Sequence, residues 1–414
     1  MTTLDVPGAA EANRYYYVQN GTIEVTSDRD IYITALSTTG STCASFPISP
    51  SRSAFGYEFY IANYPPVIIY PTEIVITADI SAANIVLKKP PGGTNGVSFR
   101  ELDLQQDGIV FKEISDDEIH ISLSPYQSFQ LRYTLDFTGL KVTANVPISI
   151  LSAGECTHVT IHDPSCNHIA AYMPPVDQLG KRFTIAPFAE RTSGYIYRVV
   201  AVRDNTTLTI DSGSVIHIEH AGYFYERDIT NANHVSTVTS DKPVLVAQFS
   251  KGYTTDYVSA GPVMMVVPPE EQYVNSISFA NFYMDRYYLN RNYLNLITSC
   301  DDLDDVLINN LEVSDWIDVL PDADGKMCAA RRELNGVNRV NFITHRSSEA
   351  RFVAFVYGSP SAGHSKKISY GYPLSHGSTQ LTCKGLDRFN RTEEVDCDPA
   401  GIPGNETESG KYLF

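Results

Sequence analysis

The stretch Val142-Thr-Ala-Asn-Val-Pro-Ile-Ser-Ile-Leu151 alternates apolar and polar residues on either side of a polar, proline-bearing centre. Two-residue alternation marks a half-buried strand, so the stretch reads as strand, polar turn, strand. The same pattern recurs at Val25-Thr-Ser-Asp-Arg-Asp-Ile-Tyr-Ile-Thr34 and Val238-Thr-Ser-Asp-Lys-Pro-Val-Leu-Val-Ala247. A fainter copy is Ile343-Thr-His-Arg346 followed by Phe352-Val-Ala-Phe-Val356. The copies start roughly one hundred residues apart, the length of one β-sandwich.

A second element follows each of the first three copies: Phe55-Gly-Tyr-Glu-Phe-Tyr-Ile-Ala-Asn-Tyr64, Leu179-Gly-Lys-Arg-Phe-Thr-Ile-Ala-Pro-Phe188 and Tyr273-Val-Asn-Ser-Ile-Ser-Phe-Ala-Asn-Phe282. Next come the strands Thr72-Glu-Ile-Val-Ile-Thr-Ala78, Tyr195-Ile-Tyr-Arg-Val-Val-Ala201 and Asn292-Tyr-Leu-Asn-Leu-Ile-Thr298, and then a turn at Asp136-Phe-Thr-Gly139, Asp228-Ile-Thr-Asn231 or, loosely, Leu334-Asn-Gly-Val337. Order is kept in every copy. The expected fold is all-β: about three tandem β-sandwich units, immunoglobulin-like or jelly-roll-like, with a short disulfide-clasped C-terminal tail. The expected divisions are 1–140, 141–250, 251–380 and a tail at 381–414. The phasing of the first element leaves room for one unit to lend a strand to its neighbour.

Composition narrows the function. Acidic residues number 48 against 31 basic ones, a net charge of −17, which argues against a nucleic-acid backbone or an anionic membrane surface as partner. No run of 18 apolar residues occurs, so no membrane span is expected. The N-terminus carries neither a basic nor an apolar leader segment, which on its own says little about compartment. The seven cysteines fall into close pairs at Cys156/Cys166, Cys300/Cys328 and Cys383/Cys397, with Cys43 left over. Such pairs close short loops and suit an oxidising compartment. Sequons at Asn20, Asn205, Asn390 and Asn405 point the same way, to a secreted glycoprotein.

In the second unit, Cys166-Asn-His-Ile-Ala-Ala-Tyr-Met-Pro-Pro-Val-Asp-Gln-Leu-Gly-Lys-Arg-Phe-Thr-Ile185 resembles a motif of the N-terminal domain of the IgG Fc-binding protein family. So does Gly139-Leu-Lys-Val-Thr-Ala-Asn-Val-Pro-Ile-Ser-Ile-Leu-Ser-Ala-Gly-Glu-Cys156. The resemblance runs from about residue 20 to 375 and is strongest over 120–250. It implies large secreted glycoproteins of mucus, body fluid or adhesive secretions, with no matched catalytic residues. It also implies a local disulfide between Cys156 and Cys166.

The segment from Cys156 to His168 holds two cysteines with His158, His162 and His168, a composition able to bind zinc. A disulfide would remove its thiolates, so no metal site is expected there. Acidic clusters at Asp116-Asp117-Glu118, Asp301 to Asp305 and Asp322-Ala-Asp-Gly325 could offer oxygens to calcium, though none has EF-hand spacing. No other cofactor is called for. His217 and Glu219 share a strand face, as general acid–base work requires, yet no nucleophile accompanies them. The aromatic stretch Phe282-Tyr-Met-Asp-Arg-Tyr-Tyr-Leu-Asn-Arg-Asn-Tyr293 supplies candidate ligand contacts in Tyr283, Tyr287, Tyr288 and Arg291, weighed against packing on the next sandwich.

The expectation is therefore a secreted, non-catalytic extracellular adhesion or recognition protein that binds a protein or glycoprotein. One rival is a lectin-like carbohydrate-binding module with tyrosines in one groove. The other is a glycoside hydrolase, requiring two carboxylates about 5–10 Å apart. Cys43 could link a second copy of the chain or remain a buried thiol beside Ala44 and Phe46.

Overall fold

The structure, a computed structural model, describes residues 17–19, 24–27, 33–39, 42–48, 55–66, 70–91, 98–101, 111–160, 166–252, 260–280, 289–334, 340–360, 369–374, 383–386, 392–395 and 410–413. The fold is all-β. The chain opens with β1 (Tyr17–Gln19), β2 (Glu24–Ser27) and a hairpin of β3 (Ile33–Thr39) and β4 (Thr42–Ile48). The first sandwich continues as β5 (Gly56–Tyr60), β6 (Thr72–Ala78), β7 (Ala83–Lys88), β8 (Phe111–Ile114), β9 (Glu118–Leu123), β10 (Ser128–Tyr133), β11 (Lys141–Thr157) and β12 (Asn167–Tyr172).

Strand β11 builds both layers. Its first half pairs with β5 and β7, setting Val142 opposite Phe59 and Leu87. Its second half pairs with β6 and β12, setting Leu151 opposite Val75 and Tyr172. Partners change between Thr143 and Ile148, around Asn145-Val-Pro147, where the register shifts. Proline has no N–H to give a ladder, so a bend there lets one strand leave the first layer and enter the second. The strand–turn–strand expected from this sequence is thus a single bent strand.

The second sandwich repeats the plan with β13 (Gly180–Ile185), β14 (Tyr195–Ala201), β15 (Thr206–Ile210), β16 (Ser214–Ile218), β17 (Phe224–Ile229), β18 (Ser236–Ser250) and β19 (Met264–Val266). Strand β18 pairs first with β13 and β15, then with β14 and β19, and the exchange surrounds Pro243. The third comprises β20 (Ser276–Ala280), β21 (Leu289–Ser299), β22 (Val306–Ile308), β23 (Leu311–Glu312), β24 (Asp318–Pro321), β25 (Met327–Leu334), β26 (Val340–His345), β27 (Phe352–Pro360) and β28 (Tyr370–Leu374). Here the long strand is broken: β26 pairs with β20 and β22, and β27 pairs with β21 and β28. In this copy strand, turn, strand is the observed order.

Strands β11 and β12, which follow residue 140, pair with each other and β11 with β6, and β19, which follows residue 250, pairs with β18. In the tail, residues 383–386 pair with 392–395.

The sandwiches share cores. Ile196, Val200, Leu245 and Phe249, from the outer face of the β14–β18 layer, join the apolar cluster of the first sandwich. Tyr293, Ile297, Phe355 and Tyr357 join the cluster of the second in the same way. This explains why all seven residues of β14 are buried, since a layer covered on both faces has no polar side to alternate with. Each large apolar side chain so covered contributes about 1.5–3 kcal/mol. On the corresponding face of the first sandwich lies the β3–β4 hairpin, placing Ala44, Ile33 and Ala35 against Ala153, Ala170, Leu151 and Tyr172. Strand β4 also lies against β28, which brings the third sandwich back towards the first.

Candidate functional site

The joint between the second and third sandwiches contains a small crevice of about 10 Å³, room for about one water molecule, lined by Phe188, Glu190, Arg191, Tyr293, Tyr357 and Tyr370 among others. The loop after β13 supplies one wall, and Glu190 sits there with a left-handed φ of 57°. That conformation disfavours most side chains. The Glu190 carboxylate accepts two bonds, each of 2.5 Å, from the guanidinium of Arg291. The same guanidinium lies 5.4 Å from the ring centre of Tyr293. Arg191 is buried and donates to the carbonyls of Lys251 at 2.9 Å and Gly261 at 2.8 Å.

The Tyr357 hydroxyl accepts from the Ala189 amide at 2.6 Å and donates to Asn295 Oδ1 at 2.7 Å. Burial raises the pKa of Tyr357, and burial together with the nearby Glu190 raises that of Tyr293. Both rings therefore stay neutral and can donate hydrogen bonds. Among the described lining residues the only carboxylate is Glu190, and Arg291 neutralises it. This arrangement offers hydrogen-bonding and stacking groups.

A parallel joint connects the first two sandwiches. Arg198 of β14 donates through Nη1 to the Asn63 carbonyl and to Asp136 Oδ2, both at 2.8 Å, and to Thr138 Oγ1 at 2.6 Å. Its Nε donates to Glu226 at 2.7 Å, and the guanidinium lies between the rings of Tyr64 and Phe224. In the repeat, Arg198 corresponds to Asn295, whose amide donates to the Pro187 carbonyl at 2.8 Å. Asn63 and Pro187 are themselves corresponding positions of the second repeated element. The first sandwich carries Val75 at the donor position.

Of the expected ligand contacts, Arg291 is therefore committed to a bond between sandwiches, and Tyr283, Tyr287 and Tyr288 lie outside the described residues. Cys156 is joined to Cys166, with Cα atoms 5.0 Å apart, and Cys300 to Cys328, with Cα atoms 4.8 Å apart. His158 lies beside the first pair, whose sulfurs are bonded to each other and so are not thiolate ligands. The backbone of Cys383 faces Val395, while Cys397 and the sequons at Asn20, Asn390 and Asn405 lie outside the described residues. Asn205 is exposed in the turn between β14 and β15. Cys43 lies in β4 opposite Thr38, and its side chain falls outside the described residues.

Several carboxylates of the acidic clusters are engaged by protein groups. Asp117 pairs with Lys89, Glu118 with Lys88, and Asp305 with Arg346. Asp322 Oδ1 accepts from the Lys326 amide at 2.8 Å, the behaviour of a turn aspartate. His217 Nδ1 lies 3.1 Å from Thr207 Oγ1 in a cross-strand polar pair, and the Glu219 carboxylate pairs with His220. Sequence reading did not single out Glu190, Arg198 or Asn295. The available signal was a charged or amide residue at the centre of an otherwise apolar strand.

The fold and these joints define a class: tandem β-sandwiches locked to one another through buried polar bonds. The chain belongs to the IgGFc binding protein family, whose profile matches residues 44–358. It is 26% identical over 161 residues to the IgGFc-binding protein of Homo sapiens, an alignment covering 38% of this chain and 3% of that protein. Two solved structures are weakly similar. A viral chemokine binding protein R17 encoded by rodent gammaherpesvirus Peru is 9% identical, with a TM-score of 0.18 over 81% of this chain and 89% of that one. The major pilin from Streptococcus pyogenes is 8% identical, with a TM-score of 0.15 over 77% and 98% of the two chains. At these scores neither carries an argument.

Proposed function

We propose that this chain is a non-catalytic recognition module of a secreted protein, binding an extracellular protein or glycoprotein in adhesion, mucus or innate defence. The observation that carries the reading is membership of the IgGFc binding protein family across all three sandwiches. The joints support it, because bonds such as Arg198 to Asn63 and Asn295 to Pro187 present the sandwich surfaces in fixed relation, as a binding scaffold requires. Two disulfides and an exposed sequon at Asn205 support secretion and glycosylation.

The test is binding of the purified chain to immunoglobulin G Fc, to a panel of extracellular proteins and to a glycan array. Saturable binding to a protein that survives enzymatic removal of the ligand's glycans is the expected result. Binding confined to free glycans would transfer the assignment to the lectin reading.

A further inference from the structure

Two strands at corresponding positions carry the same three residues. In the first sandwich β9 contains Ile119-His120-Ile121 and pairs with β7; in the second, β16 contains Ile216-His217-Ile218 and pairs with β15. In both, the isoleucines turn to the core and the histidine turns outward. The free side of β9 is filled by β8, Phe111-Lys-Glu-Ile114, which runs antiparallel and sets Phe111 opposite Ile121, Glu113 opposite His120 and Ile114 opposite Ile119. Beyond β16 no strand follows among the described residues.

The direction of the backbone groups on β16 follows from its neighbours. The Thr207 amide donates to Asp241 and the Asp211 amide to the Thr237 carbonyl, both on β18. Odd-numbered residues of β15 thus turn to β18 and even-numbered ones to β16. Ile216 and Ile218, opposite Leu208 and Thr206, bond inward, leaving the N–H groups of Val215 and His217 facing outward. Val215 is 56% exposed. Sheet edges are ordinarily guarded by charge, proline or shortness, and several edges here are. Strand β17 carries Glu226, Arg227 and Asp228, β24 ends in Pro321, and β23 has two residues. Strand β16 has none of these guards.

We infer that β16 is a docking edge that takes up an extended segment of a partner polypeptide as an additional antiparallel strand. The segment has the chemistry of β8: two apolar residues to cover Ile216 and Ile218, flanking an acidic residue opposite His217. The inference rests on the protein-binding reading above for the class of partner.

The experiment uses the full chain and the synthetic peptide Val-Phe-Lys-Glu-Ile-Ser, the sequence of residues 110–115, with backbone amide exchange and titration as readouts. The peptide is expected to slow exchange at Val215 and His217. Val215→Pro, which removes an outward N–H and leaves the β15 ladder intact, is expected to weaken binding at least about tenfold. Val215→Ala keeps the N–H and should bind within about threefold of the parent. Unchanged exchange in β16 at saturating peptide would overturn the inference, as would equal affinity of the proline variant or protection appearing at β9 instead. If the panel proteins bind parent and Val215→Pro alike, the docking edge is refuted while the protein-binding reading stands.

Discussion

The side-chain amide of Asn167, on β12 of the first sandwich, donates to the main-chain carbonyl of Ser369, 202 residues away beside β28, at 2.8 Å. Its second N–H donates to the Pro262 carbonyl ahead of β19, also at 2.8 Å. One fully buried amide thus ties together the last strands of all three sandwiches. Asn167→Ala should cost about 2–4 kcal/mol, because two carbonyls lose their donors in the interior. Asn167→Asp should cost more at neutral pH, since a carboxylate would face two carbonyl oxygens. It should recover part of the loss in acid, when the carboxyl is protonated and donates once. Thermal unfolding of the three proteins at pH 7 and pH 4 checks this, and equal melting of alanine and aspartate variants at both would refute it.

The joint between the first two sandwiches turns on one guanidinium. Arg198→Ala takes the guanidinium donor from Asp136 Oδ2, the Asn63 carbonyl and Thr138 Oγ1, leaving the bonds that Asn63, Thr138 and Asp136 make among themselves. The expected cost is about 2–4 kcal/mol, below the full value for a buried pair because Glu226 is 39% exposed. Arg198→Ala combined with Asp136→Ala should lose less than the sum of the single changes. Urea unfolding of the four proteins in the cycle gives the coupling, and a coupling near zero would show that packing alone holds the joint.

Close approach between linker and strand yields another test. A Cβ added at Gly56 would lie 2.3 Å from Pro175 Cβ, and one at Gly180 would lie 2.3 Å from Pro269 Cβ. The corresponding position of the third copy is Val274. Gly56→Val and Gly180→Val should each cost about 1–3 kcal/mol or more through overpacking, whereas Val274→Gly should act mainly through lost burial and backbone freedom. Denaturant midpoints would decide, and a valine tolerated at Gly180 would mean that the proline linker moves freely.

Sequence alone made the repeat legible because short alternating strands, turn residues and the Ile-Ala-Asn and Ile-Ala-Pro elements recur in a fixed order. It misread the decisive Val142–Leu151 stretch, since an Asn-Val-Pro interruption looks the same whether the chain reverses or a strand bends between layers. Only the partners of β11 distinguish the two, and they are distant in sequence. The joints were illegible for a related reason. Arg198 and Asn295 stand at one repeat position with different side chains, and the acceptors they have in common are the main-chain carbonyls of Asn63 and Pro187, which no residue type announces.

The disulfides offer a test of compartment. Cys300–Cys328 spans 28 residues and fastens the turn after β21 to β25. Closing a loop of that size contributes about 3–4 kcal/mol on the chain-entropy estimate. Chemical reduction should therefore lower the denaturant midpoint, and Cys300→Ser with Cys328→Ser should reproduce most of the drop. A midpoint unchanged by reductant would remove this support for an oxidising compartment.

Acid sensitivity should concentrate at Asp211, between β15 and β16. Burial alone would raise its pKa, but the Thr237 amide at 2.9 Å, Arg227 at 2.6 Å and His234 at 3.0 Å hold it below the ordinary 3.8. A carboxylate so depressed contributes stability that is present above its unfolded pKa and is lost as pH falls through the folded value. Asp211→Asn isolates the charge, because asparagine also accepts the φ of 49° found here. The variant should be about 1–3 kcal/mol less stable than the parent at pH 7, with the gap narrowing below about pH 4 as the parent's carboxylate is protonated. Paired urea titrations at pH 7 and pH 3 measure that gap. If it is the same at both, the bonds to Asp211 depend on its shape rather than its charge.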